Sequence, residues 1–402
     1  KDARYKQVVE ETVTWLQREM RDPKGAFYSS LDADSLDEHG HSAEGAFYVW
    51  QPAEIKNILT PEEYIVASQY FGFDRTPNFD DPHSNSQAWH PYLVGSAEHD
   101  EVALLKRART KLFAARAKRP HPERDDKILT SWNALAIKGL ARAGRVFNRP
   151  DWVALAQNSV DFIRKSMWKN QQLLATCKND GSGNANNNYR AHLNAYLDDY
   201  AFLLDALIEL MQADYRAEDL AFAEDLAEAL LADFEAEDGG FYFTSHTHEA
   251  LIHRPKQAYD NATPNGNGIA TVALQRLGHI LGEPRYLQTV ERTLKAFDRN
   301  LVNNPAACAS LAHGLEEFLT PPTLVIIYGD AKQMAVWREA IQQYYYPHHL
   351  FFYLDEAWDR NMQDLPPTLQ RKFTGGVNAW VCKGVVCSPS LSDLQALLKN
   401  LG

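Results

Sequence analysis

Acidic, amide and aromatic side chains recur along this chain at a nearly constant interval. Trp132 and Asp199 are 67 residues apart, and Asp199 and Asn265 are 66 residues apart. Residues that share one phase of an internal repeat become neighbours when the repeats stack. The residues in this phase are Asp126, Lys127, Trp132, Asn133, Asp198, Asp199, Tyr200, Asn265 and Asn267, and earlier segments add Asp32, Asp34, Glu44 and Trp50.

These residue types together suit a polyhydroxylated, sugar-like ligand. Aromatic faces stack on the C–H surfaces of a sugar, while carboxylates and amides bind its hydroxyls. Two carboxylates with different pKa values can act as acid and base, either for glycosidic cleavage or for proton transfer beside a carbonyl. The spacing leaves hydrolysis and epimerisation open. The predicted catalytic residues are Asp32, Asp34, Asp126, Asp198 and Asp199, and the predicted substrate-binding residues are Glu44, Trp50, Lys127, Trp132, Asn133, Tyr200, Asn265 and Asn267.

Each of these residues also has a purely structural interpretation. Asp198 and Asp199 can hold a neighbouring loop, and Thr130 with Ser131 can cap the helix that starts beside them. The run Asp32-Ala-Asp34-Ser35 also resembles a turn in which short polar side chains bind their own backbone. Both interpretations stay open from the sequence.

No cofactor or metal is predicted. His246-Thr-His248, with Glu249 and His253 nearby, lacks a third ligand at a diagnostic interval, and so does the pair His39-Gly-His41. Walker, nucleophile-elbow and dinucleotide motifs are absent from the sequence. Cys382 and Cys387 do not have the CxxC spacing of redox or zinc sites, so we expect two buried thiols.

The elements that would position the repeated residues are helices. Apolar residues recur at 3.6-residue spacing through residues 1 to 320, and each repeat indicates a helix, a turn, a second helix and a short β-hairpin. The hairpins would include the glycine-led strands Gly25–Tyr28, Gly45–Tyr48 and Gly240–Phe243. Such units bury both helix faces only by stacking, which predicts a mainly α fold, an α/α toroid that begins inside a repeat.

Two regions depart from the helical repeat. Residues 36 to 127 are predicted to be an insertion, with helices after Pro52 and Pro61 and a basic helix near residues 98 to 118. Residues 321 to 402 are predicted to form a small α/β region, separate from a toroid domain at 1–320. Its predicted elements are strands at 323–328, 350–354 and 379–386 and helices at 332–344 and 390–401.

Composition narrows the class of protein. The chain has 402 residues, of which 45% are hydrophobic and 23% charged, and this excludes a disordered chain. The net charge of −12 is concentrated at residues 198 to 238, which hold fourteen acidic residues and one arginine, so a nucleic-acid partner is not predicted. Four cysteines indicate a reducing cytoplasm, and no apolar run is long enough for a membrane span.

Several separated motifs, in order, resemble the family of bacterial YyaL and spermatogenesis-associated protein 20. They are Phe27-Tyr-Ser-Ser-Leu-Asp-Ala-Asp-Ser35, Glu44-Gly-Ala-Phe-Tyr-Val-Trp50, Asp125-Asp-Lys-Ile-Leu-Thr-Ser-Trp-Asn133, Leu197-Asp-Asp-Tyr-Ala201, and Cys382 with Cys387.

The resemblance implies a thioredoxin-like domain followed by an (α/α)6 barrel, similar to N-acylglucosamine 2-epimerases and six-hairpin glycosidases. We expect this chain to lack the thioredoxin-like domain and the first barrel helices, so that such a domain would precede it. Pro264-Asn-Gly-Asn-Gly268 departs from the family's Pro-Ser-Gly-Asn-Ser, which keeps Asn267 but changes its neighbours.

Two functions follow as hypotheses. The first is a carbohydrate-active enzyme, an epimerase, isomerase or glycosidase relative, with its ligand in the barrel mouth. The histidine pair expected for epimerase acid–base roles is absent from the phased positions. The second is a non-catalytic binding or scaffold module of a thioredoxin-domain protein.

Overall fold

Most of the chain is helical, as the 3.6-residue spacing predicts. The computed structural model describes residues 2–37, 40–80, 87–95, 101–179, 189–249, 251–359, 361–372 and 374–401. The helices are α1 Ala3–Trp15, α2 Pro52–Ile58, α3 Pro61–Phe71, α4 Val102–Arg116, α5 Thr130–Phe147, α6 Pro150–Ser166, α7 Leu197–Ala213, α8 Ala217–Ala229, α9 Gly266–Leu281, α10 Pro284–Ala296, α11 Asp298–Asn303, α12 Ala309–Leu319, α13 Ala331–Ile341 and α14 Leu394–Leu401.

The strands are short and antiparallel except for one parallel pair, β11 with β12. They are β1 Ser30–Leu31, β2 Asp34–Leu36, β3 Ser42–Glu44, β4 Phe79–Asp80, β5 Gln87–Ala88, β6 Arg124–Asp125, β7 Ile128–Leu129, β8 Trp168–Lys169, β9 Gln172–Asn179, β10 Tyr189–Asn194, β11 Thr323–Gly329, β12 His349–Asp355, β13 Asn378–Lys383 and β14 Val386–Cys387.

The chain forms two compact units. One consists of Lys1–Tyr28 with Lys127–Gly402, and the other is Ser29–Asp126. The second unit holds α2, α3 and α4, with the paired strands β1 and β6, β2 and β3, and β4 and β5. The division that the sequence predicts after residue 320 stays a prediction.

The larger unit has an α/α toroid arrangement. Helices α5, α7, α9 and α12 pack side by side in that order and form an inner row, while α6, α8 and α10 each pack on the preceding inner helix. The inner helices α5, α7 and α9 begin at the predicted 67-residue interval. Helix α7 is buried at every position except Asp198, which is typical of a helix inside a protein rather than on its surface.

The C-terminal sheet has the order β12-β11-β13-β14 and contacts the C-terminal ends of the inner helices. The amide of Phe351 donates to Gln212 Oε1 at 3.3 Å, at the end of α7. Gln342 donates to the carbonyl of Arg145 in α5, and Thr368 donates to the carbonyl of Ile280 in α9. The N-terminal ends of these helices, here called the mouth, lie at the opposite end of the row.

Three details differ from the predicted elements. Gly45–Tyr48 is a turn, because Gly45 has a positive φ of 72° and its carbonyl accepts from the amides of Tyr48 and Val49. Phe27 and Phe241 form single bridges rather than strands, since positive-φ glycines bend the chain just before them. The predicted strand 379–386 is a hairpin that turns at Gly384 and joins Cys382 to Cys387 in a disulfide, rather than holding two buried thiols.

A buried network of ion pairs connects the inner helices. Lys138 of α5 pairs with Asp205 of α7, and Arg142 Nη2 lies 2.9 Å from Glu209 Oε2. Both pairs join residues that are 67 positions apart. Arg276, another 67 positions beyond Glu209, contacts Asp205 and Glu317. The signs of the charges therefore alternate from α5 to α12.

The network lowers the acidity constants of its carboxylates. Burial opposes ionisation of Glu209, but Arg145 and Arg142 outweigh it and lower its pKa to about 2. Burial likewise opposes ionisation of Glu317, while His313 and Arg276 lower its pKa to about 2. Both groups are therefore anions at neutral pH inside the helix row.

No helix within the described ranges is long and apolar enough to cross a membrane. The cytoplasmic location stays a prediction.

Arg276→Met should destabilise the protein by about 3 to 5 kcal/mol, because Asp205 and Glu317 would remain as buried carboxylates without this cation. Urea unfolding at pH 7 measures the change. Arg285→Met is the matched control, since its pair with Glu228 lies at the surface and should contribute less than about 1 kcal/mol. Equal losses in the two variants would contradict the role given to the network.

Candidate functional site

The third or fourth residue of each long inner helix holds a hairpin next to the mouth. The Asn133 side chain accepts from the Phe27 amide at 2.8 Å and donates to the Phe27 carbonyl at 2.9 Å. Asn267 makes the same pair of bonds to Phe241, at 2.7 and 3.0 Å. The Tyr200 hydroxyl, at the same phase, accepts from the Leu173 amide at 2.9 Å. These three predicted ligand contacts are thus buried and bound to the backbone.

Three carboxylates connect the N-terminal ends of neighbouring inner helices. Asp199 of α7 accepts from the Ser131 amide of α5 at 2.8 Å and from the Tyr196 amide at 2.9 Å. Asp198 accepts from the Gly266 amide at the start of α9. A side chain at position 266 would overlap Asp198 Oδ1, so glycine lets the two helices approach closely.

The third connecting carboxylate is Asp260, which lies in the loop before α9. Asp260 Oδ1 accepts from the Asn265 amide at 2.7 Å, and Oδ2 accepts from the Ser310 amide of α12 at 2.9 Å. Asn265 itself caps α9, since its side chain accepts from the Gly268 amide at 3.1 Å. The mouth therefore consists of four helix N-termini joined by Asp199, Asp198 and Asp260.

Burial raises the pKa of two of these groups into the neutral range. Desolvation raises the pKa of Asp198 to about 6, although the Gly266 amide lowers it in part. Desolvation also raises the pKa of Asp199 to about 6, against the opposing bonds from Tyr196 and Ser131. A carboxyl group with a pKa near 6 can both give and take a proton at physiological pH.

Two aromatic side chains at the mouth are open to solvent. Trp132, directly after the Ser131 amide that binds Asp199, is 48% exposed, and Tyr259, directly before Asp260, is 49% exposed. The ring of Tyr200 is buried in the same region. Trp132 and Tyr259 are therefore the rings that a ligand could reach, and Lys127 is half-buried at the start of β7.

The remaining predicted residues belong to the unit Ser29–Asp126. Asp32 accepts from the Asp34 amide at 3.1 Å, in the turn that the structural interpretation describes, and Asp34 lies opposite Glu44 in the β2–β3 pair. Trp50 is buried, and the Arg119 guanidinium lies 4.2 Å from its ring centre. Asp126 pairs with Arg124 at 2.6 Å. Their predicted roles stay predictions.

Asp260 and the network of ion pairs were missed by the sequence reasoning. The network keeps the 67-residue phase, so applying that phase to the charged residues inside α5, α7 and α9 would have found Lys138, Asp205, Glu209 and Arg276. Asp260 lies outside the phase, on a loop, and no comparable signal marks it.

The histidine-rich hairpin has other uses in this structure. His248 contacts Ser245 through Nδ1 at 2.8 Å and the Asn194 carbonyl through Nε2 at 3.2 Å, while His246 pairs with Asp233 at 3.3 Å. No group of three or more potential metal ligands occurs among the residues that the structure describes. His39 lies outside them.

The chain is similar over its full length to spermatogenesis-associated protein 20. The human protein is 27% identical over 433 residues, which cover 100% of this chain and 55% of the human protein. An uncharacterised protein of Caenorhabditis elegans is 28% identical over 418 residues, covering 98% of this chain and 56% of that protein. The chain thus spans about half the length of these relatives, and no family model matches it.

Some solved structures share a likeness at low sequence identity. An α-mannanase of Bacteroides thetaiotaomicron matches with a TM-score of 0.38 and 11% identity, covering 80% of each chain. A sugar epimerase from a ruminal bacterium matches with a TM-score of 0.36 and 12% identity, covering 72% of each chain.

Asp198→Asn should stabilise the protein increasingly as pH rises from 4 to 6, to about 2 kcal/mol, and the gain should stay constant above pH 7. The folded-state pKa of Asp198 is about 6 against a model value of 3.8. Its protonated form therefore favours folding, and this contribution is lost as pH rises through 6. Asparagine imitates the protonated form and keeps the acceptor for Gly266.

Urea unfolding at several pH values measures this difference. Asp225→Asn, on the exposed face of α8, is the control and should show a much smaller change with pH. A difference between wild type and Asp198→Asn that does not vary with pH would contradict the raised pKa.

Proposed function

We propose that this relative of spermatogenesis-associated protein 20 binds a polyhydroxylated, sugar-like small molecule at the mouth, where Asp198 exchanges a proton with it. One observation carries the proposal. A half-buried carboxyl group with a pKa of about 6 lies on a rim that also presents two exposed aromatic rings. The ligand class combines hydroxyls for the polar groups with C–H faces for the rings.

Asp198 is better suited to proton exchange than its neighbour Asp199. Both oxygens of Asp199 accept backbone amides, from Ser131 and Tyr196, and its side chain is buried. Asp198 is only half-buried and accepts from Gly266. We assign Asp199 the role of a positioning residue, which fixes the start of α7 and so the direction of Asp198.

The exposed rings favour a neutral or weakly charged ligand with apolar faces. Trp132 and Tyr259 lie on either side of the α7 N-terminus in the order of the helix row, one beside α5 and the other before α9. The hydroxyl of Tyr259 accepts from Asn300 at 3.0 Å, which holds its ring at the rim. A ring-shaped polyol could stack on one of these faces and place a hydroxyl toward Asp198.

The non-catalytic alternative has its own support. Asn133, Tyr200, Asn267 and Asp199 are engaged in hydrogen bonds to the backbone, as expected where polar side chains hold a scaffold together. Under this alternative the mouth binds a ligand or partner without changing it. Turnover distinguishes the two functions, since both predict binding.

Trp132→Ala should abolish the thermal stabilisation that a binding sugar gives the wild-type chain, because it removes an exposed stacking surface without removing a buried contact. At a ligand concentration of 100 Kd the stabilisation should be about 3 °C. Trp15→Ala, another partly exposed tryptophan on α1, is the control and should keep it. A panel of free sugars and glycosides, followed by differential scanning fluorimetry, provides the measurement.

Asp198→Asn tests the proton exchange separately. It should retain sugar-dependent stabilisation but lose any change of anomer or epimer that NMR detects with the wild-type chain. If no sugar in the panel stabilises the wild type, the proposal of a sugar-like ligand fails. If sugars bind and none is converted, including by the full-length protein, the non-catalytic alternative is supported instead.

A further inference from the structure

The disulfide in the C-terminal hairpin has one buried and one exposed sulfur-bearing residue. Cys382 of β13 is 2% exposed, whereas Cys387 of β14 is exposed. The two residues lie opposite each other in the antiparallel pair. An incoming thiolate can therefore reach Cys387 far more readily than Cys382, and this directs attack to one sulfur.

A single guanidinium contacts both sulfur atoms. Arg371 Nη2 lies 3.2 Å from Cys382 Sγ and 3.1 Å from Cys387 Sγ. Its Nη1 donates to the Gln370 carbonyl at 2.6 Å, which holds the group in this direction. The remaining cysteines, Cys177 and Cys308, are buried elsewhere and stay reduced.

Arginine contributes little to a disulfide but much to a thiolate. A disulfide sulfur is a neutral, weak acceptor, so the two contacts gain little in the oxidised state. After reduction a thiolate in the same place accepts a charge-assisted hydrogen bond from a half-buried cation. Arg371 therefore favours the reduced pair over the disulfide.

We propose that Cys382 and Cys387 form a thiol–disulfide exchange site that accepts two electrons from a dithiol reductant. A thiolate of the dithiol attacks Cys387 Sγ, the bond between the two protein sulfurs breaks, and its electron pair leaves on Cys382 Sγ as a thiolate held by Arg371. The second thiol of the donor then loses its proton to solvent and attacks its partner sulfur in the mixed disulfide. Cys387 leaves as a thiolate and takes up a proton, and the donor becomes a disulfide.

This site is independent of the mouth and of the function proposed there. The hairpin belongs to the C-terminal sheet, which contacts the opposite ends of the inner helices. The proposal thus adds a redox reaction with a dithiol to a chain whose proposed ligand is a sugar-like molecule.

The test measures the oxidised fraction of the native chain in buffers of reduced and oxidised dithiothreitol. After an acid quench, a maleimide of high mass labels the thiols, and a gel separates chains by the number of labels. The wild type should gain two reactive thiols without losing its circular dichroism spectrum. Arg371→Gln should shift the equilibrium toward the disulfide by about tenfold, since it loses a charge-assisted bond.

Two further variants keep the result interpretable. Arg371→Lys retains a cation and should lie between the wild type and Arg371→Gln, while Lys383→Gln removes an exposed neighbouring charge and should match the wild type. The proposal is overturned if the pair is reduced only when the chain unfolds. It is also overturned if folded Arg371→Gln and Arg371→Lys both titrate like the wild type.

Discussion

Buried amides at the starts of the inner helices set the main constraint on this fold. The first amides of a helix have no partner within it, and four such ends meet at the mouth. Asp199, Asp198 and Asp260 satisfy them across the helix boundaries, from α5 to α12. Because these carboxylates already oppose the positive ends of the helix dipoles, the mouth offers less to an anion than a bare helix end would. A hydroxyl-rich ligand fits it better.

The ion pairs deeper in the row follow the same repeat. A helix that is buried on all sides could slide or rotate against a purely apolar neighbour at little cost. Opposite charges at matching positions, such as Lys138 with Asp205 and Arg142 with Glu209, favour one register. Buried pairs add little net stability compared with apolar packing, so we interpret this network as fixing the alignment of helices that places the carboxylates at the mouth.

The repeat made the helices predictable, and it made the roles of the side chains less so. A constant interval gave the starts of α5, α7 and α9 because each unit solves the same packing problem. The same interval could not tell a side chain that faces a ligand from one that faces the preceding hairpin. Asn133, Tyr200 and Asn267 are held by Phe27, Leu173 and Phe241, while Trp132, one residue away, is exposed. Asp260 was missed because it lies on a loop without a counterpart in the repeat, and the disulfide because the turn at Gly384 determines that Cys382 faces Cys387.

Asp198 links the stability of the row to its proposed chemistry. Its carboxylate receives the Gly266 amide, and burial makes the ionised form costly, so the folded chain holds a proton there more tightly than the unfolded chain. A group with this property is destabilising as an anion near pH 7 and would be replaced by a neutral acceptor if holding α9 were its only purpose. Such local costs are common where a residue also serves a reaction. Asp199, with two amides on its carboxylate, can be explained by structure alone, and the contrast between these adjacent residues is the strongest argument that the mouth does more than hold the helices together.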